Sequence, residues 1–284
     1  MTPYQQCFDV SPSRHACSAL SPTRRERFTA TFIARALNRI GYDTINNMQL
    51  DNLQFLRLLQ LADSALPIGT TAHSFGLETL AVEEYLEPPQ LELCLGEYMY
   101  ETGVLETVFC RLAHRLVVQY CEDEASLETG LGKLNTQLDA YKTARESRSA
   151  STTLGRRFLQ LVLSLTKQAS LSIALRQAKE QGGACHYCTA FGLTGAVLGI
   201  DEDTAVLAYL YQSLASLISA CQRLLPLGQS QASAVLWRLK PILMEVATVS
   251  EGLVLHPESI AVCIPLLDLG SMRHPYLVTR LFIS

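Results

Sequence analysis

A chain of 284 residues, 48% hydrophobic and only 18% charged, can bury a large core but leaves a surface short of charge, which suits a protein partly covered by partners. Its 23 basic and 27 acidic residues give a net charge of −4, which argues against a nucleic-acid groove over the main body. Nine cysteines, an odd number without short-loop spacing, argue against a disulfide scaffold and for a reducing, cytoplasmic compartment.

Residues 1–47 differ in composition from the rest of the chain: Arg14, Arg24, Arg25, Arg27, Arg35 and Arg39 face only Asp9, Glu26 and Asp43, and no secretory h-region is present. Phe28, Phe32, Ile33, Ala36, Leu37 and Ile40 could form an apolar helical face. Three readings stand: an organelle-targeting segment, a partner-binding helix, or an extension ahead of a start at Met48. In the next segment Leu58, Leu59, Leu61 and Ala62 form an apolar helical run, Asp63 and Ser64 supply capping chemistry, and Pro67-Ile68-Gly69 forces a turn. A second helix is expected from about Thr70 to residue 86, carrying His73, Phe75 and Glu78, with the His73 ring donating to a backbone carbonyl.

After Pro88-Pro89, steps of three and four through Leu91, Leu95, Tyr98, Met99, Val104, Leu105, Val108, Phe109, Leu112 and Val117 predict a long amphipathic helix, interrupted at Gly103. Glu101, Glu106 and His114 lie in it. They make a poor metal set, because eight residues place His114 about 12 Å along the axis from Glu106, and a solvated or interface face is expected. The charged segment 122–146 leads through ARESRSAS to Gly155-Arg156-Arg157, which opens another long helix with Phe158, Leu161, Leu163, Leu165, Leu171 and Leu175 inward. Arg145, Arg148, Arg156 and Arg157 form a basic cluster that could receive a phosphate or an acidic partner, or simply cap and solubilise helix ends.

Cys185, His186 and Cys188 are the best metal candidates by type, but two thiolates and a His need a further ligand for a closed site, so small core thiols are expected. Small residues at 192, 195, 196 and 199 line one helical face and let another helix approach closely, marking the bundle centre. The helix of about 203–225, uncharged from Thr204 to Gln222, carries Leu207, Leu210, Leu214, Leu217, Cys221 and Leu224; a covered core or interface helix is expected rather than a membrane span. Pro241 should kink the next helix, of about 230–249. The end carries Arg273, Tyr276, Arg280 and Phe282, expected as anchors that dock a partner; packing back on the bundle is the alternative.

Phosphate loops, the dinucleotide-binding glycine fingerprint, an H-E-x-x-H pair and a nucleophile elbow are missing, so no catalytic residue is assigned. The sum is an all-α, single-domain helical bundle of about ten helices with an extended C-terminal tail, divided as a basic extension 1–47, a helical body 48–269 and a tail 270–284.

Four stretches in order, LLQLADSALPIGTTAHSFGLE (58–78), HYCTAFGLTGAVLG (186–199), RLLPLGQSQ (223–231) and DLGSMRHPYLVTRLFIS (268–284), resemble the urease accessory protein F family over roughly Met48 to Ser284. The chain departs from that family's pattern at Thr71, where an aromatic is usual, and at Cys188, where Pro or another apolar residue is usual. The resemblance implies a non-enzymatic nickel-insertion chaperone that dimerises, binds an accessory protein of the D or H type through its C-terminus, recruits the urease GTPase and serves apo-urease. It implies no tightly bound cofactor, with nickel handled transiently, and leaves His73 and Glu78 as structural or metal-path candidates near the bend. The rival reading is a helical enzyme or a metal-binding protein with a buried Cys/His site.

Overall fold

The computed structural model describes residues 51–120, 122–180, 184–256, 260 and 265–284, so the 1–47 extension and Pro257 lie outside the described residues. The regular elements of the described chain are helices: α1 (Asn52–Leu61), α2 (Leu77–Val82), α3 (Leu91–Tyr98), α4 (Val104–Gln119), α5 (Glu124–Tyr141), α6 (Arg145–Thr166), α7 (Ala169–Glu180), α8 (Tyr187–Val197), α9 (Glu202–Leu224), α10 (Gln229–Leu253) and α11 (Pro265–Arg273). A π turn, Met99–Gly103, fuses α3 and α4 into one rod, so ten rods result among the described residues and no strand. The sequence interruption at Gly103 is therefore a widened turn, where a Cβ would come 3.3 Å from the Leu210 side chain of α9. Asp123 caps α5 through the Ser126 N–H at 3.0 Å and Asp201 caps α9 through the Thr204 N–H at 2.9 Å.

α8 is the hub: every residue from Tyr187 to Gly195 is buried, and α8 packs most extensively on α4 and α6. Gly192 allows the approach, since a Cβ there would lie 2.0 Å from the Cys110 carbonyl of α4. Phe158, Tyr187, Phe191 and Tyr209 interlock around it with ring centroids 5.3 to 5.6 Å apart along the chain of contacts from Phe158 to Tyr209. Along α9, Leu210, Leu214, Leu217 and Cys221 are buried against this hub. This helix is long and apolar enough to cross a membrane, yet here it serves as a core helix.

Several boundaries differ from the sequence expectation. The helix placed near Thr70 is a single 3-10 turn, Thr70–Ala72, and α2 begins only at Leu77, because Phe75 (φ 52°) and Gly76 (φ 90°) are left-handed. Gly76 is required there twice over, since a Cβ would also sit 2.5 Å from the Leu267 carbonyl of α11. The ARESRSAS patch is the first two turns of α6, and Lys167, left-handed at φ 57°, ends that helix so that Leu171 and Leu175 belong to α7. Leu165 and Leu207, expected inward, are 57% and 37% exposed; Leu159 and Val162 take the inward places on α6. α10 continues through Pro241, whose ring lies on the exposed side where a missing N–H is least costly. α11 runs across residue 270, so the tail starts as the end of a helix.

Candidate functional site

The bend and the chain end form one closed unit. Leu66 and Ile68 are buried, Gly69 (φ 89°) reverses the chain, and His73 is extended, leaving backbone groups of 72–74 open for pairing. The last residues fill that gap: the Ile283 N–H donates to the Ala72 carbonyl (2.8 Å), and the Ser74 N–H donates to the Ser284 carbonyl (2.5 Å). Glu78, 2% exposed on α2, accepts from the backbone N–H groups of Leu281 (2.5 Å) and Phe282 (3.2 Å) and from His274 Nε2 (2.8 Å). A buried carboxylate needs such donors, because desolvation would otherwise cost several kcal/mol. His274 Nδ1 lies 2.9 Å from Glu146 of α6, an ion-pair distance without hydrogen-bond alignment. Arg223 of α9 completes the closure: it lies 4.3 Å above the Phe282 ring and donates to the carbonyls of Thr71 (2.8 Å) and Leu281 (3.4 Å).

The tail is thus strapped to the bundle, as in the packed-back alternative, and its residues divide by side. Phe282, expected as a partner anchor, is 5% exposed and packs inside its own chain. Tyr276 is 85% exposed, Arg280 is exposed, and Arg273 reaches Glu83 at 2.8 Å while remaining largely open. His73 binds the Ser284 hydroxyl through Nδ1 at 2.7 Å rather than a backbone carbonyl. Burial first, and the Arg157 cation second, hold His73 down at about 4. This Ser–His pair lacks the carboxylate of a triad, since His73 Nε2 has no partner.

Behind the bend lies a cavity of about 40 Å³, room for roughly two waters, lined by His73, Glu106, Tyr187, Tyr209 and Gln212 among others. His73 Nε2, the Tyr187 hydroxyl and Gln212 Oε1 are buried without partners. Glu106 is not on a solvated face as expected: it is 7% exposed, binds Lys142 Nζ at 2.6 Å and accepts from the Tyr209 hydroxyl at 2.8 Å. Burial, the largest single influence, would lower Lys142, but the Glu106 carboxylate together with its other neighbours, Asp268 among them, holds Lys142 raised. His114 is likewise buried, on the Ile200 carbonyl at 2.8 Å.

Cys185 and Cys188 are buried, and burial pushes the Cys185 thiol up to about 12 and Cys188 well above its usual value. His186, fully buried, faces Ser151 through Nδ1 (3.1 Å), with Asp139 3.4 Å from Nε2; burial, then Lys142 and Arg148, hold it down at about 3. That value describes a neutral ring, so the Asp139 contact is not an ion pair. Among the described residues no three His, Cys, Asp or Glu side chains converge on a metal-sized centre.

Sequence reasoning singled out Glu78 and His73 but missed Arg223, Glu146 and the pairing role of His274. Arg223 and His274 lie inside the RLLPLG and MRHPY stretches; for Arg223 the available signal was a single charged residue beside an apolar run.

Fold and site together define an all-helical chain whose buried ionisable groups are committed to closing its own structure, with a pinned tail bearing exposed aromatic and cationic residues. The UreF family model matches residues 88–240. The urease accessory protein UreF of Nostoc sp. is 33% identical over 245 residues, covering 83% of this chain and 98% of that protein. Those of Picosynechococcus sp. (32% identical, 82% and 100%) and Bacillus sp. (29% identical, 81% and 99%) are similarly related. The chain belongs to the urease accessory protein UreF family.

Proposed function

We propose that the chain is a non-enzymatic scaffold of urease maturation. It assembles with a D- or H-type accessory protein, recruits the urease GTPase and takes part in GTP-dependent delivery of nickel to apo-urease. The observation that carries this reading is the strapped tail. Glu78, His274 and Arg223 fix its backbone, so Tyr276 and Arg280 are presented to a partner already ordered, with little conformational entropy left to lose on binding. Arg273, Tyr276 and Arg280 act as the docking residues, while Phe282 acts from within as the pin. Nucleotide hydrolysis belongs to the GTPase, in keeping with the missing phosphate loop in this sequence.

Nickel is cargo in this scheme. The small polar cavity beside His73 and Glu106, with its three unpartnered polar atoms, supports a hydrated passage near the bend rather than a tight site. Exposed Leu53, Leu56 and Leu59 on α1 and Trp237 and Met244 on α10 support coverage by partners, including a second copy of the chain. Free thiols at Cys94, Cys110, Cys185, Cys188 and Cys221 support a cytoplasmic setting.

The test is co-expression with the D/H-type accessory protein, the GTPase and apo-urease, with mass measurement of the purified complex and nickel analysis of the urease. A complex containing this chain, and urease that stays nickel-poor when the chain is omitted, is the expected result. Full nickel loading without the chain would overturn the proposal.

A further inference from the structure

The structure separates the members of the basic cluster of α6, and only Arg157 has a place in the closure of bend and tail. Arg157 turns to the bend, where Nη1 donates to the Ile68 carbonyl at 3.3 Å. Arg145, Arg148 and Arg156 instead line a groove of about 800 Å³ between α5, α6 and α7, joined by Lys179 of α7. Arg148 is braced from behind, its Nη1 donating to the carbonyls of Lys142 (2.6 Å) and Thr143 (3.1 Å). Arg145, Arg156 and Lys179 are exposed and have no ion-pair or hydrogen-bond partner among the described residues. Four cations meet one lining carboxylate, Asp139, on a chain whose net charge is −4.

From these observations we infer that this groove docks an acidic peptide segment of a partner protein. Three features select that occupant. Residues 145, 149, 152 and 156 follow one face of α6, a ladder about 16 Å long that matches roughly five extended residues. Guanidiniums stand at its two ends with the short side chains of Ser149 and Thr152 between them; the Thr152 hydroxyl donates to the Arg148 carbonyl at 3.0 Å, which leaves the guanidiniums and the Ser149 hydroxyl to donate to carboxylates. No aromatic side chain lines the groove, so a nucleobase has nothing to stack on, which disfavours single-stranded nucleic acid. The inference is independent of the docking role assigned to the tail, since the two surfaces share no residue.

The full chain is titrated with a fluorescein-labelled octaglutamate peptide, with a labelled twelve-residue oligothymidylate in parallel, and binding is read by anisotropy across a salt series. The expected result is saturable peptide binding that weakens with salt and falls at least tenfold in the triple variant Arg145→Gln/Arg156→Gln/Lys179→Gln. A control with equal charge loss elsewhere, Arg57→Gln/Arg238→Gln/Lys240→Gln, should retain binding within about twofold. All six side chains are exposed, and circular dichroism checks that both variants stay folded. The proposal is overturned if the peptide fails to bind, if the two triple variants lose binding equally, or if the oligothymidylate binds more tightly and displaces the peptide.

Discussion

Replacing Glu78 with Gln tests the closure with almost no change in volume. One carboxylate oxygen takes the Leu281 N–H, and the other takes the Phe282 N–H and His274 Nε2. An amide offers only one acceptor oxygen, so its NH2 must oppose one donor or two, whichever way it is turned. Hydrogen bonds to a charged acceptor contribute about 1.5–3 kcal/mol each, so the loss is about 2–5 kcal/mol. The cheapest relief is to release the strap, because Ile283 and Ser284 are then held by only a few bonds and the bulk of the core is untouched. A loss near 3 kcal/mol corresponds to about a hundredfold faster amide exchange at residues 281–284 where exchange proceeds through local opening. Hydrogen-exchange mass spectrometry on the C-terminal peptide, beside a thermal melt, reads both quantities. Unchanged exchange at 281–284 in the Glu78→Gln chain would refute the reasoning, and so would global unfolding without faster local exchange.

Leu214, fully buried on α9, replaced by Asp should abolish cooperative folding, whereas Leu207→Asp on the exposed side of the same helix should leave the melt nearly unchanged; equal effects would contradict the assigned helix face. The double change Cys185→Ala/Cys188→Ala should cost roughly 1–2 kcal/mol per site and leave nickel delivery intact, whereas stoichiometric zinc or nickel in the purified chain, lost on this change, would contradict a packing role. His73 and His186 sit near 4 and 3 in the folded chain against 6.5 when unfolded, so the unfolded state takes up protons first as pH falls. Stability from these two groups is therefore full above about pH 7.5 and declines from 6.5 down to about 4 for His73 and about 3 for His186, by about 2 kcal/mol each at pH 5. Urea melts at pH 7.5 and 5.0 check this, and the decline should shrink by about half in His73→Gln.

Much of the architecture was legible because it is written in helical periodicity: the long rod of α3 and α4, the small-residue face at 192 and 195, and the buried stripe of α9 from Leu210 to Cys221 follow from spacing, although Leu207 of that stripe is exposed. The start of α2 was not, because Gly76 answers to a close approach by α11, a contact nearly two hundred residues away that no local pattern carries. Glu106 was misplaced for a related reason. A glutamate on an amphipathic helix ordinarily marks the wet face, and Lys142 at the end of α5 and Tyr209 of α9 make its burial tolerable. Of the site, Glu78 and His73 were visible as polar residues at the bend, and the tail's mismatch of apolar and cationic residues was visible too. Which side of the tail each residue would face depended on Arg223 and Glu78 reaching it across the fold.

The central claim is that the strap presents Tyr276 and Arg280 to a D/H-type accessory protein without contributing them to the core. The direct measurement is co-purification with that protein and native mass of the product, comparing the unaltered chain with Tyr276→Ala/Arg280→Ala, whose thermal midpoint is recorded beside it. The account predicts loss of the complex with a midpoint shifted by no more than about a degree, since exposed side chains away from special features change stability by roughly 0.5 kcal/mol or less. A complex of undiminished mass and yield from the double variant would contradict it.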